Sequence, residues 1–309
     1  MNSALTQVVR PTTIVEPRRF ARRLGVRLIL ATETFQHTGS FKFRAAYNVA
    51  AEVDQKLVIT ASSGNFGQAL AYACSLLAKR AIVVMPATSA QVKIDAVREY
   101  GGQVELVDVR AKSRAARVAE LAAEHPEGYV ASAYDDPLVI EGNSTLGVEL
   151  SLVHQRETPF DFVLAPVGGG GLSSGIIRGL RRRHAKVPVI GAEPILANDA
   201  ARSLAAGQIV ANESEPQTIA DGARTLRLGR HNWEVLKDGL ARIIEVPEEK
   251  IAEAVRMLFG LANLKVEPTG ALALGAVLTE PEAFRGRTVC CVVSGGNVDA
   301  EVYRTILAG

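Results

Sequence analysis

One lysine, Lys42, stands in the stretch TETFQHTGSFKFRAAYN (residues 32–48), where a polar run gives way to a helical pattern. A lysine amine kept neutral by its surroundings is a nucleophile toward carbonyl carbon; solvated on a helix face it is one more surface cation. A second segment, LAPVGGGGLSSGIIRGL, passes from an apolar strand through Gly168, Gly169, Gly170 and Gly171 into a helix. Consecutive glycines cost backbone entropy, and a strand-to-helix turn of this kind lets N–H groups and the helix N-terminus converge on an anion. A flexible turn is the plainer reading, and four glycines at such a junction weigh against it. The dinucleotide fingerprint fails, because Ser173 stands where its third glycine belongs, and no Walker lysine follows. The turn suits a small phosphate.

Two further junctions have the same character. VITASSGNFGQALAYA places Ser62, Ser63, Gly64 and Asn65 between a strand and a helix. Taken alone, these residues are as well explained as helix caps. CVVSGGNVD ends another strand with Ser294, Gly295, Gly296 and Asn297. Three polar, glycine-bearing loops at the carboxyl ends of strands occupy the place where open α/β sheets bind ligands.

The elements that must position these loops alternate along the chain. Apolar, β-branched runs at 57–60, 81–85, 104–109, 129–132, 162–167, 187–193, 242–246 and 288–294 read as strands. Helical periodicity fills 67–79, 89–101, 113–125, 172–184, 248–264 and 269–279. This alternation predicts an α/β protein with parallel sheets covered on both faces. Eight strands in 309 residues point to two packed domains, with no linker of biased composition between them. Residues 211–229 lack periodicity and read either as a functional loop or as a surface excursion.

Composition removes several classes of function. A formal charge of +2 and 5% aromatic residues give no footprint for nucleic acid. No apolar run reaches bilayer length and residues 1–30 lack a signal-peptide core, so a cytoplasmic protein without membrane association is expected. Cys290 and Cys291 are adjacent in a strand and should face opposite sides, which makes them poor disulfide partners. No zinc-type spacing of Cys or His occurs, and a reducing compartment fits.

HTGSFKFRAA, SSGNFGQAL, PVGGGGL, AEPILAND, TIADG, VEPTGA and SGGNVD follow one another over about residues 30–300. In this order they resemble the fold-type II pyridoxal phosphate enzymes, in particular serine racemases and serine/threonine dehydratases. The resemblance implies two open, twisted, mainly parallel sheets flanked by helices. A large domain would comprise residues 1–52 and 137–309, with residues 53–136 inserted as a small one. It implies that Lys42 carries the cofactor as a Schiff base, that Gly168, Gly169, Gly170 and Gly171 hold its phosphate, and that Phe41 packs near its ring. Asn65 would meet its 3-hydroxyl and Ser294 its pyridine nitrogen. A neutral hydroxyl there leaves that nitrogen largely unprotonated, a weaker electron sink that favours prompt β-elimination. Ser62, Ser63, Gly64 and Asn65 would receive the substrate carboxylate, with Ser63 a second acid/base. Glu193, the carbonyl of Ala197 and Asp199 would hold Mg²⁺ or Ca²⁺, oxygen ligands suiting a hard cation; the plainer reading is a surface acid pair at a helix start.

The chain departs from the family pattern in places. Phe66 follows Asn65 where histidine is usual, Gly142 to Thr145 read GNST instead of GQGT, and SAYDDP (132–137) replaces a block that often contains His-Pro. Serine or threonine specificity therefore does not carry over. Arg114 either faces an acidic substrate side chain such as that of 3-hydroxyaspartate or is a solvated helix arginine. The expected activity is that of a pyridoxal phosphate-dependent ammonia-lyase converting a β-hydroxy amino acid to a 2-oxo acid and ammonia. An amino-acid racemase using Ser63 is the nearest alternative, and a non-catalytic phosphate- or nucleotide-binding protein is one of another class. The resemblance also implies a homodimer, and no room after the last block for the regulatory domain of biosynthetic threonine dehydratases.

Overall fold

A computed structural model describes residues 3–309. Ten strands form two sheets: β1 (Thr13–Val15), β2 (Arg27–Thr32), β3 (Leu57–Ala61), β4 (Arg80–Pro86), β5 (Gln103–Val107), β6 (Tyr129–Ala131), β7 (Phe162–Pro166), β8 (Val189–Pro194), β9 (Leu240–Val246) and β10 (Thr288–Val293). The six-stranded sheet has the order β1-β2-β10-β7-β8-β9 and the four-stranded sheet the order β5-β4-β3-β6. Every pairing is parallel except that of β1 with β2. All eight expected strands are present within a few residues. β1 and β2 are additional; β2 is a short, mainly apolar run that periodicity does not separate from a buried helix segment.

Side-chain alternation assigns each face of the larger sheet to its own apolar layer. Leu28, Leu30, Val289 and Cys291 pack with residues of helices Glu248–Ala262 and Pro268–Thr279. Ile29, Ala31, Cys290 and Val292 pack with residues of helices Pro137–Arg156 and Gly171–Arg182. The two neighbouring cysteines thus face opposite layers, as their spacing predicts, and both are free thiols. Helices Asn65–Leu76, Gln91–Glu99 and Arg114–Glu124 cover the four-stranded sheet. Among the described residues no helix is long and apolar enough to cross a membrane.

A charged cluster lies inside this packing. Arg44, on helix Lys42–Glu52, is fully buried. Its guanidinium donates to both oxygens of Glu33 at 2.7 and 2.9 Å, to both of Glu149 at 2.7 and 3.0 Å, and to Thr145 Oγ1 at 3.0 Å. Glu33 follows β2, while Thr145 and Glu149 belong to helix Pro137–Arg156, so one side chain joins three elements. Removing the cation leaves the buried Glu33 carboxyl without its counter-charge, a situation that destabilises by ~3–5 kcal/mol. Arg44→Met should lower the unfolding free energy by about that amount, and Arg44→Met/Glu33→Gln should recover part of the loss. Denaturant titrations of the three proteins measure both effects.

Candidate active site

Lys42 is the first residue of its helix, and the turn before it is locked into the loop after β10. Phe41 N donates to the Ser294 carbonyl at 3.0 Å, Ser40 bridges Gly295, and Gly296 N donates to the Gly39 carbonyl at 3.0 Å. Asn297 Nδ2 donates to the Thr38 carbonyl at 2.7 Å. Thr38 and Gly39 both have positive φ, 59° and 72°. A Cβ on Gly39 would lie 2.5 Å from Asn297 Oδ1, so glycine is required there on both counts. The two loops that the sequence singles out separately are one interlocked unit.

The Lys42 amine donates to the Ala133 carbonyl at 2.7 Å and lies 5.1 and 5.8 Å from the ring centres of Phe41 and Phe66. The residue as a whole keeps some solvent contact, but its amine is crowded by protein. That burial pushes it down to about 8, with the nearby Glu267 carboxylate acting in the opposite direction. Glu267 is itself buried and pushed up to about 8, by burial first and by Asp221 next. Asn65 Nδ2 donates to both Glu267 oxygens at 2.9 and 3.1 Å, and Asn297 Nδ2 donates to Asn65 Oδ1 at 2.8 Å.

The tetraglycine turn reaches Lys42 through the segment 132–135. The ring of Tyr134 lies on Gly169, where an added Cβ would come within 2.2 Å of Tyr134 Cδ2. Gly170 has φ 94° and Gly171 opens helix Gly171–Arg182. Asn232 Nδ2 donates to the carbonyls of Tyr134 and Gly169 at 3.0 and 2.7 Å. Gly229 N donates to the Gly169 carbonyl, and Gly168 packs on Ala223. Residues 211–229, whose sequence fits either a functional loop or an excursion, therefore run against the glycine turn. The turn is a side-chain-free cradle at a helix N-terminus, which fits a phosphate. Ser294 Oγ is buried and without a hydrogen-bond partner, an orphan that a ring nitrogen would satisfy.

The remaining predicted residues fall in three places. Ser62 Oγ accepts from the N–H groups of Gly64 and Gly67 at 3.3 and 3.2 Å, a capping role. Ser63 is half-buried and Gly64 exposed beside it, in the loop that ends at Asn65. Arg114 opens helix Arg114–Glu124 and is half-buried. The Tyr134 hydroxyl is held protonated by burial and then by Asp135, with Arg227, Asp199 and Arg114 all within charge range of it. Glu193 lies in β8, Ala197 in the turn that follows it and Asp199 at the start of the next helix. Both Glu193 oxygens accept backbone N–H groups, of Ala200 at 3.0 Å and Ala201 at 2.9 Å. Asp199 Oδ1 accepts from Asn212 at 2.9 Å, and its Oδ2 is buried without a partner. Among the described residues no three His, Cys, Asp or Glu side chains gather as a metal site.

Sequence reasoning places Asn297 in the third polar loop without giving it a role, and misses Glu267, Tyr134 and the Ala133 carbonyl as site groups. Glu267 and Asn297 lie inside the quoted blocks VEPTGA and SGGNVD; the acid directly before Pro268, at a helix start, is the available signal. Nothing in SAYDDP announces that its second residue lends a carbonyl to Lys42.

An amine lowered to about 8 is more reactive at neutral pH than an ordinary lysine, because only the neutral form attacks a carbonyl. In the cofactor-free protein, labelling of Lys42 by a small aldehyde and borohydride should rise with pH and level off above about 8. Peptide mapping across a pH series measures this, and exposed lysines should still be gaining reactivity there.

A sequence profile described as pyridoxal-phosphate dependent enzyme matches residues 5–295. The chain is 35% identical over 302 residues to the L-threo-3-hydroxyaspartate ammonia-lyase of Pseudomonas sp, covering 96% of this chain and 93% of that protein. It is 35% identical over 289 residues to the serine racemase of Mus musculus, covering 89% and 83%. The crystal structure of a T.th. threonine deaminase superposes with a TM-score of 0.90 at 39% identity, over 96% of this chain and 95% of that one. With the glycine cradle, the crowded lysine and the orphan serine already in place on two mainly parallel sheets, the chain belongs to the pyridoxal-phosphate dependent enzyme family, on the fold-type II scaffold.

Proposed function

We propose that this enzyme is an ammonia-lyase for β-hydroxy amino acids, with 3-hydroxyaspartate as its preferred class of substrate. The observation that carries the reading is the crowded Lys42 amine, donating to the Ala133 carbonyl at 2.7 Å next to Tyr134 on the glycine turn, together with the buried, unpartnered hydroxyl of Ser294. Pyridoxal phosphate, when bound, supplies an electron sink for a Cα–H bond. Lys42 would hold it through its amine, and the same amine, when free, would serve as the general base for the Cα proton. The backbone of Gly168 to Gly171 would bind its phosphate, with Phe41 beside its ring and Asn65 at its 3-hydroxyl. Ser294 offers a hydrogen bond without a formal charge. The loop Ser62, Ser63, Gly64 and Asn65 takes the substrate carboxylate. Loss of the β-hydroxyl and hydrolysis then give a 2-oxo acid and ammonia.

An acidic side chain would be met by Arg114, half-buried at the start of helix Arg114–Glu124. The Pseudomonas relative named for 3-hydroxyaspartate supports the same choice. Two domains, 1–52 with 137–309 and 53–136, are supported by the distribution of strands between the sheets. A cytoplasmic homodimer, without nucleic-acid or membrane partners, completes the reading. A racemase is the second reading, on the half-buried Ser63 hydroxyl and the mouse relative. A Mg²⁺ or Ca²⁺ ion at Glu193, the Ala197 carbonyl and Asp199 is supported by the unpartnered Asp199 Oδ2.

Keto-acid release should be fastest from a 3-hydroxyaspartate isomer and slower from serine and threonine. Ser63→Ala should abolish racemisation and elimination from the D-enantiomer while sparing much of the L-directed elimination. Chiral chromatography with a keto-acid assay measures each branch, and inversion of serine faster than pyruvate release would overturn the lyase reading. Chelation should lower the melting temperature and added Mg²⁺ or Ca²⁺ should restore it, because an ion bound only by the folded state stabilises that state by mass action. An unchanged melting curve in verified metal-free protein would remove the ion from the reading.

A further inference from the structure

The block SAYDDP carries two neighbouring acids, and they serve different helices. Asp136 caps its own: it accepts the Leu138 N–H at 2.8 Å at the start of helix Pro137–Arg156. Asp135 instead reaches helix Arg230–Leu236, far along the chain. Its two oxygens accept the N–H groups of Arg230 and His231, each at 2.9 Å. That helix starts after Gly229, which has no side chain to cap it. A Cβ at 229 would stand 2.4 Å from Asp135 Cγ, so the glycine leaves room for the incoming carboxylate. Ser132 Oγ accepts the Asp135 N–H at 2.9 Å and closes the segment 132–135 on itself. Within that segment the Ala133 carbonyl receives the Lys42 amine at 2.7 Å, and the Tyr134 ring lies on Gly169.

We propose that Asp135 is a positioning residue for the cofactor site: by capping helix Arg230–Leu236 from a distant segment, it holds the Ala133 carbonyl on the Lys42 amine and the Tyr134 ring on the glycine turn. This role rests on the proposed reading of Lys42 and the glycine turn as the two ends of that site. The origin of the cap is what matters. A carboxylate on residue 229 itself would cap the same helix, but would tie nothing to Lys42. The gripped helix also holds the turn, because Asn232 Nδ2 donates to the carbonyls of both Tyr134 and Gly169. An ordinary capping bond thereby joins the lysine end of the site to the phosphate end.

The test uses the full-length, cofactor-free protein with Asp135→Asn and with the transplant Asp135→Gly/Gly229→Asp. The transplant returns a cap to the helix and removes the tie; φ −67° and ψ 149° at Gly229 suit any residue. Lys42 is labelled with a small aldehyde and borohydride across a pH series, and affinity for pyridoxal phosphate is read by absorbance titration. Labelling of the native protein should level off above about 8. In the transplant the curve should move up toward that of an ordinary lysine, because an amine released from Ala133 gains water while Glu267 still faces it. Cofactor affinity should fall about two- to thirty-fold, the range that loss of a capping side chain spans. Asp135→Asn keeps one acceptor oxygen and should show a smaller change in the same direction. A native labelling curve or a native affinity in the transplant would overturn the role, since the helix would then need only its cap. Should the transplant fail to fold, Asp135→Asn decides: a native labelling curve there overturns it. A native protein that fixes the cofactor on another lysine would overturn the reading of Lys42, and this role with it.

Discussion

Much of the architecture hangs on Arg44. Its guanidinium is shared between a carboxylate at the end of β2 and another on helix Pro137–Arg156, and it belongs to the helix that Lys42 begins. A buried ion cluster of this kind contributes little net stability against replacement of all its members by apolar residues, but with its partners in place it admits few alternative arrangements. The planar fork fixes angles as well as distances. Lys42 lies two residues before it, so the direction of the amine is inherited from an ion cluster beneath it. The clamp of residues 38–41 on 294–297 completes the constraint from the other side.

The second constraint is steric. Helices Pro137–Arg156 and Gly171–Arg182 approach so closely that a Cβ on Gly147 would stand 2.3 Å from the Ile176 carbonyl. On the facing helix, a Cβ on Gly179 would stand 2.2 Å from the Ser144 carbonyl. Close backbone approach seats the second helix, and so places the N-terminus that follows the tetraglycine turn. The cradle is positioned by a helix contact built from missing side chains.

The same contact explains what the sequence conceals. Periodicity does not reveal Pro137–Arg156, the longest helix, because Gly142, Asn143, Ser144, Thr145 and Gly147 are poor helix formers in isolation. Tertiary packing overrides that preference. By contrast, the strands and helices around residues 57–125 follow from their patterns, the helices each burying one face and β3 and β4 being short continuous apolar runs buried on both. At the site, Lys42, the glycine turn and Ser294 are legible as residue types that need a special reason at a strand end. Glu267 and Tyr134 are not, because their importance comes from what a distant segment brings beside them. Asn65 shows both sides: its place at a helix start is readable, its bonds to Glu267 and Asn297 are not.

Cys290 and Cys291 occupy β10, an interior strand with β2 on one side and β7 on the other. Burial raises both thiols, Cys290 to about 12, so neither is a nucleophile in the folded protein. Each faces a different apolar layer, and the strand that carries them runs straight into Ser294. A thiol reagent reaches these sulfurs only when the centre of the large sheet comes apart, and that event dismantles the floor of the active site. The chain thus carries its own chemical gauge of integrity: silent thiols certify an intact catalytic scaffold, and their modification dates its loss.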